Sequence, residues 1–240
     1  MTPPSAAVVT DLAPTGTLRA AINLGNPVLA QGSPDAPAGI TVELAREMGK
    51  RLGLSVELVC GDAARLSFEA LTSGAADVAF LAIEPVREAQ LAFTAPYVLI
   101  EGVYAVPGTS DLKVPADVDR SGHRIGVKLG SAYDLFLTRT LERATVVRGD
   151  EGVDVFRARG LEAGAGIRQP VTSYVQDHPD LRLIEEPFMQ IRQAVATTRD
   201  RRPETVSFLA EFVADLLGSG FVADALHRSG QPADVAAPLR

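Results

Sequence analysis

The chain has 240 residues, with 23 Lys and Arg against 30 Asp and Glu, a formal net charge of −7. Hydrophobic residues make up 46% and charged residues 22%, a globular balance with ample core that argues against disorder as the main state. The acidic balance argues against nucleic acid, the single cysteine excludes an internal disulfide and a Cys-based zinc site, and 5% aromatics without Trp argues against an aromatic-lined sugar groove.

The first ten residues contain no Lys or Arg, and Arg19 is the first basic residue. A secretory signal has a basic start and about 7–15 apolar residues, so the expectation is a chain without an export signal. As written it reads as cytoplasmic, and as periplasmic if it is a mature form with a new Met. Candidate strands then follow at 18–22, 56–59, 78–83, 98–106, 125–127, 146–147, 163–167, 181–184 and 194–197. The run at 78–83 is the longest clean apolar one and falls far short of the roughly 18 residues of a membrane helix. Ile40, Leu44, Met48 and Leu52, with Ala45, mark one buried helix face, and Glu47 and Arg51 pair on the other. A second strong helix runs from Pro203 towards Leu217, with Val206, Leu209, Val213, Leu216 and Leu217 as its apolar positions and Gly218 and Gly220 as its stop. Alternating strands and helices predict an α/β fold with largely parallel sheets.

The loop over 107–115, rich in Pro, Gly and Ser, separates two such series. The expectation is a discontinuous first lobe, 1–106 plus 190–240, and a second lobe, 107–189. Strands 98–106 and 190–197 would then cross between lobes, with a hinge behind a cleft, a common home for small ligands.

Catalytic and cofactor patterns are sparse, and no catalytic residue, metal site or cofactor is expected. His123, His178 and His227 are isolated, and there is no G-x-G-x-x-G, P-loop or G-x-S-x-G. Cys60, at a strand end, reads as a small buried hydrophobe. Two places read as anion sites. In Ile83-Glu-Pro-Val-Arg87 a strand ends, Pro85 suits the first helical position and Arg87 sits at a helix start, where the dipole disfavours a cation unless it binds a carboxylate. The competing role for Arg87 is a pair with Glu84 or Glu88. In Gly126-Val-Lys-Leu-Gly-Ser-Ala-Tyr-Asp134 a strand leads to a helix start, Ser131 and Asp134 form a capping-box-like pair, and Lys128 adds charge. A plain cap that binds nothing is the alternative there.

Four stretches carry a resemblance over nearly the whole chain, about 10–230: TGTLRAAI at 15–22, AGITVELA at 38–45, LTSGAADVA at 71–79, and Arg87 followed by Phe93-Thr-Ala-Pro-Tyr97. Together they resemble the bacterial extracellular solute-binding proteins, family 3, which serve polar amino acid ABC importers. The resemblance implies a two-lobe type II periplasmic-binding-protein fold with two crossing hinge strands. It also implies that Arg87 grips a ligand carboxylate and that backbone N–H groups around Ser131 complete the grip. An ABC permease is the implied partner, and the chain is expected to be a monomer without membrane insertion.

The sequence departs from the family's pattern at three points. Arg168, in Gly166-Ile-Arg-Gln-Pro170, stands where an acidic residue usually holds the ligand ammonium. Glu84 replaces a Thr, and Asn23-Leu-Gly-Asn-Pro27 lacks the usual aromatic platform. With Arg87, Arg168 and Lys128 opposed only by Glu84, the expected site is net positive and suits a small anionic ligand, an organic acid or an atypical amino acid. Glu162, Glu101 or Glu84 would be the partner of Arg168 in a purely structural role. The expected ligand contacts are Arg87, Ser131, Arg168, Glu84, Ala82, Asn23, Lys128 and Gln169, with Asn26 able to assist. Alternatives are a cyclohexadienyl-dehydratase-like lyase with Glu84 or Glu101 as general acid, and a cytoplasmic ligand sensor.

Overall fold

The computed structural model describes residues 3–239; Met1 and Thr2, part of the N-terminal stretch read above for an export signal, lie outside it. The chain forms two compact units, one made of the residues up to Leu99 and from Arg192 onward, the other of Ile100–Ile191. The elements of the first run are α1 (Ala6–Leu12), β1 (Thr17–Asn23), β2 (Gln31–Ser33), β3 (Ala36–Ala38), α2 (Ile40–Leu52), β4 (Ser55–Gly61), α3 (Ala64–Thr72), β5 (Val78–Ala82) and α4 (Pro85–Glu88). Strand β6 (Leu91–Pro107) leads into the second unit, which contains β7 (Arg124–Lys128), α5 (Ala132–Thr140), β8 (Thr145–Gly149), α6 (Gly152–Arg159), β9 (Ala163–Ile167) and α7 (Arg168–Gln176). Strand β10 (Leu181–Thr198) leads back to α8 (Pro203–Gly218) and α9 (Phe221–Arg228).

In the first unit β1 pairs parallel with β4 and with β5, and β5 pairs antiparallel with the last part of β10, Gln193 opposite Ala82. Every residue of β5 is buried, as expected for a strand covered on both faces. Ala79 and Leu81 face a cluster with Ala21, Leu71, Leu91 and Ala196, against which Phe68 and Phe93 pack. The expected helix face of Ile40, Leu44, Ala45, Met48 and Leu52 is buried in α2, which ends on Gly53 in the left-handed region (φ 71°). Arg51 Nε donates to Glu47 Oε1 at 2.8 Å, as the spacing predicted, and Arg51 Nη1 also reaches Asp215.

The registry of β1 on β5 has an ionic tie. Asp77, fully buried, accepts from the Arg19 backbone N–H at 2.9 Å, from Nε at 3.1 Å and from Nη2 at 2.6 Å. The bidentate fork fixes the start of β5 beside β1 and so sets where β5 ends.

The second unit has the strand order β6-β9-β7-β8, antiparallel between β6 and β9 and parallel beyond. Helix α6 lies against this sheet at Gly126 and Gly152. A Cβ on Gly152 would stand 2.1 Å from the Ala165 carbonyl oxygen, and one on Gly126 would stand 2.3 Å from the Gly152 oxygen.

Three expectations change. The candidate strands at 181–184 and 194–197 are one strand, β10, because Glu185, Glu186 and Pro187 between them are exposed and ask nothing of the core. The strand expected at 98–106 begins earlier, at Leu91. Helix α8 buries Phe208 and Phe212 with Leu209, Val213 and Leu216, while Val206 and Leu217 are only half-buried; the two rings stack at 6.4 Å and turn the helix onto its aromatic side.

Replacing Asp77 by Ala leaves the Arg19 guanidinium without its fork, and is expected to lower unfolding stability by about 3 kcal/mol in denaturant titration. A change below about 0.5 kcal/mol would show the tie to be dispensable. Gly152→Ala forces the α6 backbone off the sheet and is expected to cost about 1–3 kcal/mol in the same assay.

Candidate functional site

In the first unit the site residues gather where β5 ends. Glu84 is the N-cap of α4 and Pro85 takes its first position, as the sequence predicted. Helix α4 is a single turn of 4 residues, so Arg87 lies in its last turn as much as its first. The dipole argument therefore loses its force, and burial governs Arg87 instead. Its exposure is 3%, equal to that of Glu84. Burial lowers the Arg87 pKa to about 10, while the Glu84 charge acts to raise it. The guanidinium remains a cation at neutral pH. Its Nη1 donates to the Ala82 carbonyl oxygen at 3.1 Å, so Ala82 holds the fork through its backbone.

Asn23 ends β1, and its Oδ1 accepts from the Gly25 N–H at 3.1 Å; Asn26, buried, does the same for Val28 at 3.2 Å. Both are Asx turns that shape the loop after β1. One further polar residue stands at this edge. Gln193 is 6% exposed and directly opposite Ala82, and its Oε1 has no hydrogen-bond partner among the described residues. Its sequence signal was a lone amide opening the apolar run at 194–196.

In the second unit Ser131 caps α5, as expected, and accepts from the Asp134 N–H at 3.0 Å. Asp134 Oδ2 in turn accepts from the Gly130 N–H at 2.8 Å and from Arg148 Nε at 3.0 Å. The reciprocal bond thus reaches Gly130, one residue before the cap. The helical ladder starts with Leu135 N–H on Ser131 O, so the Ala132 and Tyr133 amides have no acceptor within the helix.

The expected excess of positive charge is revised by pairing. Lys128 is ion-paired with Glu151. Arg168, first residue of α7, bonds the Glu101 carboxylate, and also reaches Glu185 Oε2 at 3.4 Å and the Glu185 carbonyl at 2.6 Å. Glu101 precedes Gly102, which pairs with Ile167, so the strand register brings Glu101 next to Arg168. Each cation thus has a carboxylate in its own unit. Gln169, half-buried, follows Arg168, and its buried Oε1 has no partner among the described residues.

Other reactive groups are occupied structurally. His123 Nδ1 meets the Val118 carbonyl at 3.1 Å, and His178 Nδ1 meets the Tyr174 carbonyl at 2.7 Å with its ring stacked on Tyr174. Burial raises the pKa of Cys60, away from thiolate reactivity. Among the described residues no three His, Cys, Asp or Glu side chains gather as metal ligands.

A search of curated proteins finds no match. Among solved structures, a mutant of ArgBP from T. maritima aligns with a TM-score of 0.75 and 21% identity, over 93% of this chain and 99% of that one. The amino acid ABC transporter substrate-binding protein AbpA from Streptococcus pneumoniae, bound to L-arginine, aligns with a TM-score of 0.75 and 18% identity, over 94% and 99%. An ancestral amino acid-binding protein, a precursor of cyclohexadienyl dehydratase, aligns with a TM-score of 0.74 and 19% identity, over 93% and 98%. The fold is that of the type II periplasmic-binding proteins, as the sequence led us to expect. The model of the bacterial extracellular solute-binding proteins, family 3, matches residues 18–228, and the chain belongs to that family.

Proposed function

We propose that the chain is the solute receptor of an amino acid ABC importer, and that it binds its ligand without transforming it. Arg87, in the first unit, grips the ligand's α-carboxylate, and the Ala132 and Tyr133 amides behind Ser131 are the second unit's own backbone anion-binding feature. The observation that carries this reading is the placement of Arg87. A guanidinium only 3% exposed lies just past the carboxyl end of β5, the edge where α/β sheets hold ligands. Its planar fork suits a carboxylate.

The pairing of Lys128 with Glu151 and of Arg168 with Glu101 supports a zwitterion over a polyanion, since the net positive field expected from sequence is offset. Membership of family 3 and the arginine held by AbpA support an amino acid. An ABC permease is the corresponding partner. The lyase alternative draws on the similarity to the ancestral dehydratase precursor. Incubation with prephenate or arogenate separates the two: the receptor reading predicts no loss of substrate absorbance.

Calorimetry with the standard L-amino acids is expected to find at least one tight ligand, and that ligand at 100 times its Kd should add about 2.7 kcal/mol to stability. Arg87→Ala is expected to weaken that ligand by about 2–5 kcal/mol. Unchanged affinity would remove Arg87 from the site.

A further inference from the structure

We infer that Gln193 is a ligand-contacting residue of the first unit, and that its side-chain oxygen accepts a hydrogen bond from the ligand's ammonium group. The inference rests on the receptor reading above and adds the group that selects an amino acid over other carboxylates.

Three observations meet at this residue. First, Gln193 sits in register with Ala82, the residue whose carbonyl holds the Arg87 guanidinium. Residues directly opposite in an antiparallel pair project from the same face of the sheet. Gln193, Ala82 and the next such pair, Val195 two residues on and Phe80 two residues back, therefore share one face. Second, Ala82 is the last residue of β5, which runs parallel to β1, so Gln193 stands at the carboxyl edge of both. Third, Gln193 is 6% exposed, and its Oε1 has no partner among the described residues.

A buried amide oxygen without a donor is costly, and its neighbours Ala194, Val195 and Ala196 are apolar and buried. A Leu of similar volume would satisfy the packing of that strand end better than Gln does. The polar group is accounted for if a donor arrives with the ligand. A neutral amide acceptor fits an ammonium because the ligand's own carboxylate, at Arg87, supplies the charge balance. A 2-hydroxy acid carries the same carboxylate with a single O–H donor where the amino acid has three N–H donors.

The test uses the full chain. The standard L-amino acids are titrated into the wild type by calorimetry, followed by the 2-hydroxy acid matched to the tightest of them. The same pair is then titrated into Gln193→Leu and Gln193→Glu, and ligand-free melting temperatures are recorded. We expect the wild type to prefer the amino acid. We expect Gln193→Leu to lose at least tenfold in amino acid affinity, to lose that preference and to melt no lower than the wild type. Gln193→Glu, which keeps the acceptor, should keep the preference. An unchanged preference in Gln193→Leu overturns this inference and leaves the receptor reading standing. A lower melting temperature with equal weakening of both ligands shows a structural role and likewise overturns it. A wild type that binds no amino acid overturns the receptor reading, and this inference with it.

Discussion

A cation buried at the end of a fully covered strand is the constraint around which the first unit is arranged. Arg87 holds the Ala82 carbonyl and feels the Glu84 charge, yet burial still lowers its pKa to about 10. The surroundings give it a fixed position: Pro85 starts the single turn that presents it, and the Asp77–Arg19 fork fixes β5 beside β1. Sequence pattern, strand registry and site electrostatics thus lead to one guanidinium.

The second unit follows a different logic. Its cations are matched locally, Lys128 by Glu151 and Arg168 by Glu101 and Glu185. At the start of α5 the Ala132 and Tyr133 amides have no acceptor within the helix, and the Ser131 and Asp134 side chains are used for the cap. Fixed amides carry partial charge without the desolvation penalty of a full one. The two units therefore differ in chemistry, with a buried charge in one and an uncharged helix start in the other.

Much of the fold was legible because it rests on local signals. The four-residue spacing from Ile40 to Leu52 gave α2, the apolar run at 78–83 gave β5, and Pro85 gave the start of α4. Strand β10 was read as two because Glu185, Glu186 and Pro187 look like a break, yet an exposed stretch of strand tolerates all three. Around the candidate site, the placement of Arg87 in the turn after β5 and of Ser131 as the cap of α5 was legible from Pro85 and from the Ser131–Asp134 spacing. The charge balance was not. Arg168 and Glu101 lie 67 residues apart in sequence and meet only through the register of β6 on β9, and Lys128 meets Glu151 across a separation of 23. A count of cations along the sequence overstates their field because their partners sit on other elements, Glu101 on β6 and Glu151 at the cap of α6.

The central claim is that the buried Arg87 guanidinium receives a ligand carboxylate. Its most direct test is a crystal structure of the chain with a calorimetrically identified ligand bound. The account predicts a carboxylate oxygen within hydrogen-bond distance of the Arg87 guanidinium nitrogens. A bound ligand whose carboxylate lies elsewhere, with Arg87 contacting protein alone, would contradict it.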